Sequence, residues 1–312
     1  MPRPSAGERA LDLRQLQYFC ALARTKSFTR AAEELGVAQP SLSDQIKRLE
    51  HNLGGSLFDR LARGVELTPA GEALLPRARA LLEDAAALPQ ILETLRDGIA
   101  GDLRVGAIPT ILPYLIAPSL RKFVDAYPDV NLLLREATTP ELIEQVQDGV
   151  LDIAILSLPV AQSGLVRSEL FRELLYLAVP EGHPLATATR LDLAEIGDQR
   201  LLILKEGHCL RDETFSVCKR AKAKFTSQFE ADQFASIFSL IGSGFGLSIV
   251  PEMARAHAQG CRLIPLKQRA WRRIGFVRLE RHFVSKPMEA FIRFLRELAV
   301  QRRARDVSKS AG

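Results

Sequence analysis

SFTRAAEELGVAQPSLSDQIKRLEHNL, residues 27–53, is the stretch whose reading decides the fold. Ser27 can cap a helix over Phe28–Leu35, whose apolar residues Phe28, Ala31, Ala32 and Leu35 fall on one face. Gly36 stops it. A further helix opens near Gln39-Pro40, with the proline in the first turn, where its missing N–H costs nothing. Leu42, Ile46, Leu49 and Leu53 keep helical spacing. The polar residues Gln39, Ser41, Ser43, Asp44, Gln45, Lys47 and Arg48 include the outward positions. A short helix, a tight glycine turn and a second helix with a polar outer face form the helix-turn-helix pattern, in which the second helix enters the major groove. Gln39, Pro40, Ser41, Ser43, Asp44 and Lys47 are then the candidate DNA-contacting residues.

Working outward, Leu13–Thr25 reads as a preceding helix, with Leu16, Phe19, Cys20 and Ala23 inward. After Gly54-Gly55, Leu57-Phe58-Asp59-Arg60 and Val65-Glu66-Leu67 read as a two-stranded wing. Arg60 and Arg63 are placed there to meet phosphates. A generic three-helix bundle would share the helices; the tight turn and the wing favour DNA binding. Thr68-Pro69-Ala70-Gly71 opens a long helix in which Leu74, Ala78, Leu81, Ala85, Leu88, Leu92 and Leu95 step by four and three. That is a heptad seam and predicts dimerisation, with Pro76 and Pro89 expected to kink or break it. Gly98–Gly101 is a linker.

From Leu103 onward strands and helices alternate, which predicts an α/β region with ligands at the C-terminal ends of its strands. The expected strands are 103–107, 131–134, 153–156, 174–179, 201–204, 225–229, 247–250 and 274–279; the expected helices are 115–126, 141–147, 211–222, 234–241 and 287–300. Thr110 follows the first strand and Thr138-Thr139 the second, where each either meets an effector or caps a helix. Gly242-Ser243-Gly244-Phe245-Gly246 precedes a strand rather than a helix, so it is not a nucleotide fingerprint.

The segment Gly207-His208-Cys209-Leu210-Arg211-Asp212-Glu213-Thr214-Phe215-Ser216-Val217-Cys218 carries two of the four cysteines. A helix starting here puts Cys209 at its N-terminus, close to Arg211. Both features favour the reactive thiolate. Nine helical steps to Cys218 would separate the Cα atoms by about 13 Å, whereas a disulfide needs about 7 Å or less. Either the two never pair, with Val217 and Cys218 simply filling a buried face, or pairing remakes the helix.

The totals bound the rest. At 312 residues the chain holds two or three compact units, and 47% hydrophobic with 25% charged residues is ordinary for a globular protein. Of the formal charge of +5, residues 262–312 carry fourteen Lys/Arg against four Asp/Glu, whereas residues 1–70 carry ten against eight. The bulk charge therefore makes no case for nucleic acid, and residues 301–312 read as a flexible basic tail. Met1–Arg14 lacks the apolar stretch of a secretory signal, and no apolar run approaches about 18 residues, so a cytoplasmic protein without membrane contact is expected. Cysteines there are reduced, metal-bound, catalytic or redox-sensing, and with no C-x-x-C pair zinc is not expected; no metal and no cofactor are expected.

Phe28-x-x-Ala31-Ala32-x-x-Leu35, Gln39-Pro40-Ser41-Leu42-Ser43, Ile46-x-x-Leu49-Glu50, Leu57-Phe58-x-Arg60 and Leu67-Thr68-x-Ala70-Gly71 together resemble the DNA-binding half of LysR-type transcriptional regulators. The resemblance extends over roughly residues 11–298. It implies a winged helix-turn-helix at 11–68, a dimerisation helix at 69–97 and a two-lobed, periplasmic-binding-protein-like α/β regulatory domain at 102–300. Gly207 to Asp212, the step to Cys218, and Ile108-Pro109-Thr110 with Pro113-Tyr114-Leu115 are similar to the peroxide-responsive members of that family. By that resemblance Cys209 is the peroxidatic cysteine, Cys218 resolves it, and Thr110, Thr139, His208, Arg211 and Asp212 surround hydrogen peroxide. It further implies an activator that binds promoter DNA as a dimer or tetramer and contacts RNA polymerase. Asp44 departs from the pattern, standing where many members carry a basic residue. Two other readings stay open: a family member that binds a small organic anion between its lobes, with inert cysteines, and, more remotely, an enzyme using Cys209 with His208 as base. Neighbours in sequence rarely face each other, which weighs against the enzyme.

Overall fold

The computed structural model describes residues 11–61, 64–93, 98–196, 199–223, 225–231, 233–268, 270–281 and 283–310. The chain divides into two compact units, 1–95 with 281–283, and 96–280 with 284–312.

In the first unit α1 (Leu13–Thr25) is capped by the Asp12 side chain, α2 (Phe28–Leu35) by Ser27, and α3 (Gln39–Leu53) carries Pro40 in its first turn. Gly36 ends α2 at φ +64°, and its N–H returns to Ala32 and Glu33, so the turn into α3 is tight for a reason only glycine meets cheaply. Phe19, Leu22, Ala31, Leu42 and Leu49 are fully buried between the three helices. The wing is β1 (Phe58–Arg60) antiparallel to β2 (Val65–Leu67).

Helix α4 (Pro69–Glu93) runs continuously through Pro76 and Pro89, contrary to the expected break. Each ring removes a single N–H donor, and the flanking turns keep the helix going. The heptad stripe divides: Leu74 and Ala78, with the neighbouring Leu75 and Leu82, pack into the core of this same unit, whereas Leu81 and Leu88 are exposed. Leu95 lies outside the described residues.

The second unit opens with β3 (Gly101–Ala107), which pairs in parallel with β4 (Val130–Glu136) and β5 (Ile153–Leu158). Between β3 and β4 the expected single helix is instead a wide turn at Leu112–Ile116, a tight one at Ala117–Ser119, and α5 (Leu120–Ala126). Pro113 and Pro118 explain this, since each withholds a backbone donor. Helix α6 (Thr139–Gln147) leads into β5. Next comes β6 (Leu165–Pro180), far longer than the expected 174–179. The remainder is β7 (Gln199–Leu204), α7 (Cys209–Arg220), β8 (Phe225–Ala231), α8 (Phe234–Gly242), β9 (Ser248–Pro251), β10 (Cys261–Pro265), β11 (Trp271–Leu279) and α9 (Lys286–Ser310).

Strand β6 makes the two lobes. Its first half, Leu165–Leu174, pairs with β11; its second, Leu175–Pro180, pairs with β9 and β10. One apolar core, with Val105, Phe123, Ile155, Phe276 and Phe291, lies on the first half. The other, with Leu177, Leu202, Ile237, Ile249 and Cys218, lies on the second. Strands β7 and β8 pair in parallel within the second lobe. Residues 301–310, expected as a flexible tail, continue α9, and Arg302 is anchored to Glu173. Ala, Arg and Lys there are good helix formers, so the basic run extends the helix it follows. Among the described residues no helix is long and apolar enough to cross a membrane.

Candidate functional site

The turn after β7 brings the start of α7 against the other lobe. Gly207 stands at φ +92°, where a side chain would meet backbone strain, and a Cβ there would lie in ordinary contact, 3.4 Å from Cβ and Cγ2 of Thr138. Thr138 caps α6: its backbone N–H and hydroxyl both donate to Glu141 Oε2, at 2.8 and 2.7 Å. These bonds hold the Glu141 carboxyl below its usual range, and the charge of His208 adds to them. His208 is buried and precedes α7 as its capping residue.

Cys209 begins a helix of the second lobe yet packs on the core of the first. The residue keeps some solvent exposure, but the protein around its sulfur pushes the thiol up to about 11. Burial is the main cause and the Glu213 carboxylate the next; Arg272, the Thr139 hydroxyl and the Ser157 backbone act in the opposite direction. This corrects the expectation of a favoured thiolate in the resting protein: desolvation outweighs the arginine, hydroxyl and backbone groups that favour the charge. The cation also differs from the expected one. Arg211 Nη1 donates to Glu230 Oε1 at 2.6 Å and to the Leu204 carbonyl at 3.3 Å, and its guanidinium lies over the Phe215 ring. The cation acting on Cys209 is Arg272, on β11.

Arg272 is the hub of a buried charge network that sequence reading did not reveal. Its Nη1 donates to Thr110 Oγ1 at 2.8 Å and its Nη2 to the Thr110 carbonyl at 3.2 Å. Its Nε donates to Glu173 Oε2 at 2.9 Å, and both side chains are fully buried. The other oxygen, Glu173 Oε1, accepts from the Met253 backbone at 2.6 Å and from Arg302 Nη2 at 2.8 Å. Glu213, one turn along α7 from Cys209, is a second buried carboxyl. Its Oε1 accepts from Ser157 Oγ, its Oε2 is buried without a hydrogen-bond partner, and burial pushes its pKa up. Thr139 Oγ1 is likewise buried without a conventional partner while acting on the Cys209 sulfur.

Arg272 thus connects Thr110 with Cys209, and Thr139 joins them. Arg211 is turned to Glu230. Asp212 is exposed in the first helical turn. The missed residues are Arg272, Glu173, Glu213 and Ser157. Only Glu213 had a signal, an acid four positions after Cys209 and therefore on its face of the helix. Cys218 is fully buried in the second core, and burial alone pushes its thiol up to about 11. No disulfide joins the four cysteines.

On the DNA-binding unit Gln39, Pro40, Ser41, Asp44 and Lys47 are exposed at the start of α3, and Ser43 is half-buried. Asp44 and Lys47 stand one turn apart, with oxygen and nitrogen 4.0 Å from each other. Arg60 ends β1, and Arg63 lies outside the described residues.

Residues 13–72 match the family described as bacterial regulatory helix-turn-helix protein, lysR family, and residues 96–300 match the LysR substrate binding domain. A hydrogen peroxide-inducible genes activator from Dickeya chrysanthemi is 34% identical over 244 residues, covering 78% of this chain and 80% of that protein. The HTH-type transcriptional regulator EstR from Acinetobacter baylyi is 36% identical over 243 residues, with 78% and 80% covered. Among solved structures, a full-length OxyR variant from Pseudomonas aeruginosa superposes with a TM-score of 0.72 at 29% identity, covering 93% of this chain and 95% of that one. With both family regions matched in order around one linker, the chain belongs to the LysR-type transcriptional regulators.

Proposed function

We propose that this regulator senses hydrogen peroxide through Cys209 and Cys218 and, in response, activates transcription of genes that counter oxidants. The observation carrying this reading is the placement of Cys209 at the lobe junction beside Thr139 and the Thr110–Arg272 pair, with Cys218 on the same helix. The peroxide-inducible relative supports it. The Cys209 thiolate attacks one peroxide oxygen, the O–O bond breaks, and sulfenic acid and hydroxide form. The hydroxide takes up the thiol proton as water. The Cys218 thiol then displaces the sulfenic hydroxyl, again as water, and the S–S bond closes.

Closure and helix α7 are incompatible, because nine helical steps hold the Cα atoms about 13 Å apart. Segment 209–218 must therefore refold, which alters how the lobes pack. In this reading residues 11–68 bind promoter DNA through Gln39, Pro40, Ser41, Ser43, Asp44, Lys47, Arg60 and Arg63, and residues 69–97 join two copies through the exposed Leu81 and Leu88 seam. A tetramer then passes the change to RNA polymerase. In this reading His208, Arg211 and Asp212, next to Cys209 in sequence, complete the surroundings of the peroxide.

The test is mass spectrometry of the reduced protein after a brief micromolar peroxide pulse, with thiols trapped by alkylation. The expected result is a Cys209–Cys218 crosslink. A second reading, a small organic anion between the lobes with inert cysteines, draws support from the raised Cys209 thiol. Four alkylated thiols after the pulse would overturn the peroxide reading and leave this one to be tested by titration with small organic acids.

A further inference from the structure

A cavity of about 640 Å³ lies between the lobes, and none of its lining residues belongs to the Cys209, Thr110 and Thr139 group. One wall is the flank of α8, where Phe234, Phe238 and Gly242 recur at helical spacing; the facing wall holds Pro109, Pro113 and Tyr114. Phe234 and Phe238 stack with ring centroids 5.6 Å apart, and Tyr114 approaches Phe234 at 6.2 Å. His257 meets the Tyr114 ring edge-on at 5.0 Å. Among the described lining residues, Glu136, at the end of β4, supplies the single carboxylate, and there is no Lys or Arg.

The chemistry of this lining selects by charge. Ring faces carry negative potential and attract cations, more strongly where water is excluded. The Glu136 charge also reaches Tyr114, whose hydroxyl is pushed up to about 12 by burial and by that carboxylate. An anion would meet the rings and Glu136, with no Lys or Arg among the described lining residues in compensation. The size suits a small molecule of one ring and a short chain.

We propose that this cavity is a binding site for a small organic ammonium ion, held by Glu136 and by the rings of Tyr114, Phe234 and Phe238. Tyr114 packs against the cores of both lobes. A ligand seated against both Tyr114 and Phe234 ties together the two lobes joined by β6, and so gives the regulator a second input that is independent of thiol oxidation.

The test is calorimetric titration of the full reduced chain with phenethylamine, 2-phenylethanol and phenylacetate, which share a skeleton and differ in charge. Phenethylamine should bind roughly tenfold more tightly than the neutral alcohol, and phenylacetate more weakly than either. Glu136→Gln, at an exposed position, should erase the preference for the amine, and Tyr114→Leu should weaken all three. Cys209→Ser should bind the amine as before, which separates this site from the peroxide reading. Equal affinities for the three probes, a preference for phenylacetate, an unchanged Glu136→Gln variant, or no binding by phenethylamine would each overturn the proposal.

Discussion

The two ends of α7 hold the same functional group in unlike settings. Both Cys209 and Cys218 have thiols pushed up to about 11. At Cys218 burial among apolar side chains is the whole cause. At Cys209 burial competes with a buried arginine, a hydroxyl and a backbone group, and is reinforced by a carboxylate. Equal resting acidity therefore conceals different responsiveness. A thiol governed by nearby charges changes when one of them moves, whereas a thiol governed by apolar packing changes only when its helix leaves the core.

The sharpest way to break this comparison is to remove one sulfur at a time. Cys209→Ser should abolish peroxide-driven crosslinking completely. Cys218→Ser should leave a sulfenic acid at Cys209 that a dimedone probe captures. Capture at Cys218 in the first variant would mean that the two ends are equivalent.

Next in size is the arginine. Arg272→Met leaves Glu173 buried beside Arg302 without its second cation, and should cost about 3–5 kcal/mol in urea unfolding. Arg211→Met removes a partly exposed pair with Glu230 and should cost about 1 kcal/mol or less. It should also leave the pH profile of Cys209 alkylation unchanged. A larger loss from Arg211→Met would return the electrostatic role to the residue adjacent in sequence.

Glu213→Gln sharpens the comparison further, since it deletes a charge that acts on Cys209 and not on Cys218. The Cys209 thiol should become more acidic, and its alkylation near neutral pH faster by up to about tenfold, the factor that one pKa unit represents. Cys218 should be unaffected. A slower Cys209 would show Glu213 acting as its proton acceptor instead.

The smallest effect is on stability against pH. Each thiol holds its proton to a higher pH folded than unfolded, so between about pH 9 and pH 11 the unfolded chain binds fewer protons. Stability is then fully present below that window and falls as pH rises through it. Cys218→Ala should flatten the fall; an unchanged slope would mean that the Cys218 end is already open to water.

Local signals were legible in the sequence and distant pairings were not. Ser27, Gly36, Pro40 and the apolar spacing of α1 to α3 each act within a turn or two, and the helix-turn-helix and wing were read to within a residue or two. The first half of β6 was missed because Arg167, Glu169, Arg172 and Glu173 interrupt its apolar pattern, and only the fold reveals that Glu173 faces inward to Arg272. Cys209 and Thr139 were placed by motif. Arg272 stands 162 residues from Thr110, and no periodicity marks such a partner. For α4 the break that the prolines allowed did not occur: a local rule met a surrounding helix that carries on through both rings.

The reach of α9 to Glu173 sets where this protein can be cut. A regulatory fragment ending at Val300, a boundary its hydrophobic pattern invites, would discard Arg302 and leave Glu173 with one counter-ion where the intact chain has two. Such a fragment would fold around an altered charge balance next to the thiol it was prepared to report on. Its oxidation rate would describe the truncation, and a tag fused directly after Val300 would carry the same flaw.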